Sequence, residues 1–203
     1  VTVVDSGLSQ AAVARWMSQG VTVIPAGDPF VFSRAVNRGV LAGDSSSDLL
    51  LLNDDAAMRT DGWETVLTRA LLGLETRGYG VLSLEVDGGV GNPLQNTDPQ
   101  RAPGSVTPSD AVTVAFVAAL IRRAVWDSVG ELDERFVGYG YEDDDYCRRA
   151  RLAGWRCGVL AGVRVIHGWE QFAHSASYRQ SGGRGYFAAS ELNRKLFEAK
   201  WGS

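Results

Sequence analysis

The chain has 203 residues, 45% of them apolar and 22% charged, with a formal net charge of −4. That suffices for one large domain or two small ones around a substantial core. The acidic balance gives no global reason to meet a polyanion, which argues against non-specific nucleic-acid binding. The longest apolar stretch, about Ala111 to Ile121, is too short to span ~30 Å of hydrocarbon, so no transmembrane segment is expected. No secretory leader is visible.

In chain order, Val1 to Val4 is a β-branched run ending in Asp5-Ser6-Gly7, a strand and then a turn. Ser9 to Gln19 predicts a helix, with Ser9 as N-cap and Gly20 closing it. Val21 to Ile24 is a second short strand, stopped by Pro25, and Phe32 to Ala42 a second helix. The uninterrupted apolar run inside Asp48 to Asn53 suits a parallel strand buried on both faces. Gly62 to Leu74 is helical, with apolar residues at Trp63, Val66, Leu67, Ala70, Leu71 and Leu74, and Tyr79 to Leu84 is another strand. Strand and helix thus alternate from Val1 to Leu84, the pattern of a doubly wound α/β sheet. Gly, Pro, Asn and Ser dominate from Asp87 to Asp110, which reads as a long loop. Then come a strand at Val112 to Ile121, a helix at Arg123 to Val129 and a Gly-rich loop at Phe136 to Tyr141. A helix over Asp144 to Ala153, a strand over Gly158 to Ile166 and a helix over Ala188 to Lys200 complete the chain.

Cys147 and Cys157 are the only cysteines. No CxxC or Cys/His metal spacing exists, so both read as reduced core thiols, which places the chain in the cytoplasm. Arginine supplies nearly all of the basic residues, lysine appearing only at Lys195 and Lys200. That bias fits GC-rich coding in a bacterium or a phage.

Two acidic clusters carry the chemistry. Glu142, Asp143, Asp144 and Asp145 stand side by side after two glycines. Asp144 and Asp145 fall four residues before Arg148 and Arg149, favourable helical pairs of ~0.2–0.5 kcal/mol each, and acids in a first turn complement the helix dipole. Asp143 has Cys147 at that spacing rather than a cation. A carboxylate placed this way beside a Gly-rich loop is a candidate general base. The second cluster, Asn53-Asp54-Asp55, follows a strand directly, where open α/β sheets bind ligands. Two adjacent carboxylates there suit a hard divalent ion, or simply an Asx turn. Asp5 and His167 end two further strands. Each reads alone as a turn or surface residue, but three polar strand ends would converge on one edge of the sheet.

The segments "VTVVDSG", "FSRAVNRGV" (Phe32–Val40) and "LLLLNDD" resemble elements of the family-2 inverting glycosyltransferases of GT-A fold, particularly the rhamnosyltransferase-like branch. "LIRRAVWDSVGELDERFVGYGYEDDDYCRRARLAGWRCGVLAGVRVIHG" (Leu120–Gly168) is the most specific match, and the tail "NRKLFEAKWG" fits as well; only 87–110 is unplaced. The resemblance implies an α/β GT-A fold, a Rossmann-like, mostly parallel sheet flanked by helices, in one domain over 1–203. A nucleotide-binding half would span about 1–86 and an acceptor and catalytic half about 110–203. Members begin with an earlier strand and helix ahead of the one matched by Val1–Val4, so the chain is expected either to be truncated or to be a minimal variant lacking the usual first strand.

The resemblance also implies roles. Asp5 would contact the uracil or other base, and Arg34 and Asn37 would line the nucleotide pocket. Asp54 and Asp55 would hold Mn²⁺ or Mg²⁺ against the diphosphate, with Asp55 the more direct ligand and His167 completing the shell. Asn53 stands where the metal motif has its first Asp, which either weakens the metal site or places Asn53 on the ribose. Asp143 would deprotonate the acceptor hydroxyl, and Glu142 would orient Asp143 or the acceptor. From the residues themselves, Trp169 beside His167 could stack on an acceptor sugar, and Ser175 to Tyr186 reads either as a lid whose Arg179 and Arg184 could meet phosphates or as a mobile surface loop. The expected donor is a nucleotide-diphosphate sugar, UDP-linked above others. The acceptor is a saccharide or glycoconjugate, or a hydroxymethylated base in phage DNA beside an arginine groove that includes Arg101, Arg122 and Arg123. The alternative is a nucleotide-sugar-binding module without turnover.

Overall fold

In the computed structural model, the described residues are 1–74, 77–88, 92–97, 108–168 and 184–202. They fall into two compact units: Val1–Ser47 with Glu131–Asp145 and His174–Ser203, and Asp48–Gly130 with Tyr146–Ala173. Neither is a continuous stretch of chain.

The first unit opens with a βαβ turn of chain. β1 (Thr2–Asp5) pairs in parallel with β2 (Thr22–Pro25), Thr2 opposite Thr22 and Asp5 opposite Pro25, and α1 (Gln10–Ser18) connects them. Ser9 caps α1, its Oγ accepting from Ala12 N at 3.2 Å, one of the donors a helix start leaves open. α2 (Phe32–Ala42) buries Ser33, Ala35, Asn37 and Val40. It approaches β1 at Gly39, where an added Cβ would stand 2.9 Å from Val4 Cγ2. The last helix of this unit, α6, runs over Arg184–Trp201.

The second unit holds the main sheet. Its strands are β3 (Leu49–Leu52), β4 (Ala56–Met58), β5 (Tyr79–Asp87), β6 (Pro108–Ala111), β7 (Ala118–Ile121) and β8 (Arg156–His167). They run in the order β3-β7-β5-β8-β4, with β6 sharing β8's outer edge. β6 takes the start of β8, Ala111 opposite Cys157, and β4 takes its end, Ala56 opposite His167. β5, β7 and β8 are the buried strands, with Val81, Leu84, Ala119, Ile121, Val159 and Leu160 all at 0% exposure; burying a Leu-sized side chain is worth ~1.5–3 kcal/mol. On one face, Leu67 and Ala70 of α3 (Trp63–Leu74) pack into a cluster with Leu82, Leu84, Leu120 and Val165. α4 (Arg123–Val129) approaches β5 at Gly80, where a Cβ would meet Val125 Cγ2 at 2.4 Å.

The α/β reading stands, a central sheet flanked by helices, with corrections in detail. The expected mostly parallel sheet is mixed. Among the described pairings of the main sheet only β5 with β8 is parallel; β3–β7, β5–β7, β4–β8 and β6–β8 are antiparallel. Apolar runs report burial, which either direction provides once helices cover the sheet. β3 is not buried on both faces: it is an edge strand, half-buried, with Leu52 44% exposed. The strand expected over Val112 to Ile121 narrows to Ala118–Ile121. Before it, Gln95 ties down the chain, its amide donating to Ala115 O and accepting from Ala115 N. β4 and β6 lie where only turn and loop are expected. The acidic helix, α5, starts two residues early, at Glu142 (Glu142–Leu152).

Candidate active site

α5 follows a loop of unusual backbone. Gly138 and Gly140 have φ of 62° and 101°, and Tyr141, with a full side chain, has φ of 69°, a conformation L-residues seldom adopt. Asp145 N donates to Tyr141 O at 2.9 Å, closing the first helical turn on that tyrosine. All four acids thus lie in the first turn, where open N–H groups and the dipole favour negative charge.

The four do not share one environment. Glu142 is 5% exposed, and its Oε2 has no hydrogen-bond partner among the described residues. Burial first, and then the charge of Asp143, push its carboxyl well above the usual range, as desolvation does to an acid. Asp143 is half-buried, and its Oδ1 accepts from Asp144 N at 2.9 Å. Asp145 is fully buried, and a partner its spacing could not suggest reaches it from α6: Lys200 Nζ lies at 2.7 Å and Trp201 Nε1 donates at 2.8 Å. Lys200 also meets Asp133 Oδ2 at 2.8 Å. Hydrogen bonds from Arg135, and then from Lys200, hold the Asp133 carboxyl far below the usual range.

In the second unit the structure brings together Asp55 and His167. Asn53-Asp54-Asp55 is the tight turn from β3 to β4, closed by Ala56 N donating to Asn53 O at 3.1 Å. The β4–β8 register sets Ala56 opposite His167, and Gly168 N donates to Asp55 O at 3.1 Å. As a result His167 Nε2 stands 3.2 Å from Asp55 Oδ1, with both side chains part-exposed. Gly88, at the end of β5, seals the corner: its φ is 113°, and a Cβ there would stand 2.2 Å from His167 O. Asp54, beside them in the turn, is exposed. No cluster of three or more His, Cys, Asp or Glu forms among the described residues. A carboxylate with an imidazole leaves most of a metal's shell to water and substrate oxygens, as divalent ions on phosphates commonly have it; the pair fits such an ion.

The residues expected at the nucleotide are engaged locally. Asp5 Oδ1 accepts from Gly7 N at 2.8 Å and Leu8 N at 2.6 Å, the turn that its sequence also allows. Arg34 donates to Glu134 and to Pro29 O. Asn37 is 5% exposed, its Nδ2 donating to Leu132 O at 3.0 Å and Glu134 Oε1 at 3.1 Å while Oδ1 accepts from Leu132 N at 3.0 Å. It therefore shapes the Leu132–Glu134 loop, which carries the partner of Arg34. Asn53 is half-buried, its backbone N donating to Val117 O at 2.9 Å. Trp169, Arg179 and Arg101, with most of the expected lid, lie outside the described residues; Arg184 begins α6, its side chain likewise outside them. Sequence reasoning misses Asn193, Lys200 and Gly88. The signal for Asn193 is an amide on the same helical face as Phe197, four residues on.

No family model and no curated protein sequence matches the chain. Solved structures do. GalNAc-T7 with UDP, GalNAc and Mn²⁺ superposes with a TM-score of 0.62 at 12% identity, over 82% of this chain and 37% of that one. S. aureus TarS 1–349 superposes at 0.52 and 16% identity, over 82% and 50%, and its complex with UDP at 0.52 and 17%, over the same shares. The fold is that of the GT-A glycosyltransferases. The chain spans about half or less of the length of these GT-A neighbours. Among the described residues no helix is long and apolar enough to cross a membrane.

Proposed function

We propose that the chain is a metal-dependent, inverting glycosyltransferase that moves a sugar from a nucleoside-diphosphate donor, UDP-linked above others, to an acceptor hydroxyl. The carrying observation is the meeting of Asp55 and His167, distant in sequence and 3.2 Å apart in space, on a fold whose solved examples include UDP and Mn²⁺ complexes. Asp55, with His167 and in lesser part Asp54, would hold the cation; the mixed oxygen and nitrogen donors favour Mn²⁺ over Mg²⁺. A cation held there would supply Lewis-acid neutralisation of the charge that builds on a departing diphosphate. Asp5, Arg34 and Asn37 are proposed nucleotide contacts, Asn37 through the loop it holds, and Asn53 is separately a proposed ribose contact.

Asp143 is the proposed general base. A neutral acceptor hydroxyl needs a positioned group to take its proton as the new C–O bond forms, and direct displacement inverts the anomeric carbon. Glu142, whose carboxyl is pushed well above its usual range by burial and then by the charge of Asp143, would orient the base. The family-2 rhamnosyltransferase-like branch remains the closest reading of the motifs. Trp169, Arg179 and Arg184 are proposed acceptor contacts. The acceptor is a saccharide or glycoconjugate, with a hydroxymethylated DNA base as the other class.

Calorimetric titration of UDP with Mn²⁺, followed by a screen of nucleotide-sugar donors with product mass spectrometry, tests this. Failure of UDP to bind with Mn²⁺ present sinks the donor reading. The second reading, a nucleotide-sugar-binding module, is favoured by Asn53 in place of an acid and predicts binding without sugar release or transfer. Strong loss of activity with added salt would mark DNA as the acceptor.

A further inference from the structure

We infer that Asn193 is a positioning residue for sugar transfer, its side-chain amide setting the loop that aims the start of α5. The inference rests on Asp143 as the base. Asn193 is 1% exposed. Its Oδ1 accepts from Val137 N at 2.9 Å, and its Nδ2 donates to Val137 O at 2.9 Å, Tyr139 O at 3.2 Å and Gly140 O at 2.8 Å. An amide has two N–H groups, so three carbonyls share two hydrogens. Beyond a single bridge from Val31 to Gly138, this loop follows no ladder: Gly138, Gly140 and Tyr141 all have positive φ, and its part-buried backbone groups need partners from elsewhere. One side chain from a distant part of the sequence supplies them at Val137, Tyr139 and Gly140.

The same face of α6 continues the grip. Phe197, one turn on, packs against the Tyr141 ring with centroids 5.6 Å apart. Lys200 and Trp201, another turn on, hold Asp145. Contacts from one helix therefore bracket Glu142-Asp143-Asp144 on both sides. Across the loop, Phe32 N donates to Gly138 O at 3.0 Å, and Phe30 and Phe32 pack on Tyr139. A strained tyrosine immediately before an acidic turn persists only where its surroundings over-determine it; Asn193 fixes the two residues before it and Phe197 packs on its ring. Proton transfer depends on placement to about an ångström, a shift of that size costing on the order of 100-fold.

The test compares wild type, Asn193→Ser, Asn193→Gln and Phe197→Leu, with Asp143→Asn as control. The probes are Mn²⁺ and the best donor from UDP-glucose, UDP-galactose and their N-acetylamino forms, read as UDP release. Hydrogen exchange of peptides covering 136–146 and thermal melts accompany the kinetics. Asn193→Ser is expected to lower kcat by ~10- to 100-fold with KM for donor within about threefold, and to speed exchange at 137–145. Asn193→Gln, which keeps the amide on a longer arm, recovers part of the rate. Phe197→Leu, which spares the amide and loosens Tyr141, loses ~3- to 10-fold and serves if Asn193→Ser folds poorly. Full kcat in folded Asn193→Ser, or unchanged exchange at 137–145, overturns the inference. A wild type that releases UDP from no donor sinks the transferase reading itself, and with it the catalytic role given to Asn193; the exchange arm still decides whether Asn193 holds the loop.

Discussion

The two acidic clusters are held by opposite means. Asp55 is placed through the main chain, by the β4–β8 register, the Gly168 N to Asp55 O bond and the close pass of Gly88 over His167. The turn at Glu142–Asp145 is placed by side chains from α6, with Asn193 on the loop before it and Lys200 and Trp201 on Asp145. A backbone-held residue tolerates change in most of its neighbours and fails at one glycine. A side-chain-held turn depends on the identity of each residue that grips it.

The largest expected effect tests what the second arrangement is for. Asp143→Asn should lower kcat by ~100- to 10,000-fold while donor affinity stays within a few-fold, the mark of a lost general base; an unchanged rate would remove the base from this turn. Next comes the metal corner. Asp55→Ala or His167→Ala should weaken Mn²⁺-dependent UDP binding by at least ~10- to 100-fold. Gly88→Ala should approach that loss without touching a proposed ligand, because its Cβ meets His167 O; calorimetry with and without Mn²⁺ reads all three. If Gly88→Ala binds as wild type does, the corner is not held by backbone.

The third effect is on stability. Glu142 has a raised carboxyl pKa in the fold. Its burial therefore carries no ionisation cost below the unfolded value of ~4.3 and costs more as pH rises above it. Glu142→Gln should melt higher than wild type at pH 8 and nearly level with it at pH 4. An equal gain at both would mean the penalty is not one of ionisation. The smallest is Asp133→Asn. The Asp133 carboxyl is lowered by Arg135 and Lys200, so its contribution is present above the unfolded value of ~3.9 and lost as pH falls through the folded one. The gap between wild type and variant should be widest near neutrality and close in acid, as read by denaturant midpoints.

What is legible in the sequence follows the same division. α2 is readable to both ends, Phe32 to Ala42, with Gly43 following its last residue. Asp55 and His167 are legible as polar residues at strand ends, and the ladder between β4 and β8 joins them. β3 misleads because four leucines look the same at a sheet edge as at its centre. The start of α5 is misplaced because nothing in Tyr-Glu-Asp announces a tyrosine at φ of 69°. Asn193, Lys200 and Trp201 are out of reach for a simpler reason. Each meets groups from a remote part of the chain, and local spacing carries no record of such contacts.

Gln95 carries a further consequence. Its side chain exchanges two hydrogen bonds with Ala115 and gives another to Ser83 Oγ, in a place with no exposure at all. It stands in for a peptide group, so this rung is written in a codon rather than in the main chain. A change at a neighbouring ladder position leaves its hydrogen bonds in place, whereas Gln95→Leu erases this one and takes from the part-buried Ala115 amide the side-chain oxygen it donates to. The border of the sheet beside β5 is thereby open to tuning by a single substitution.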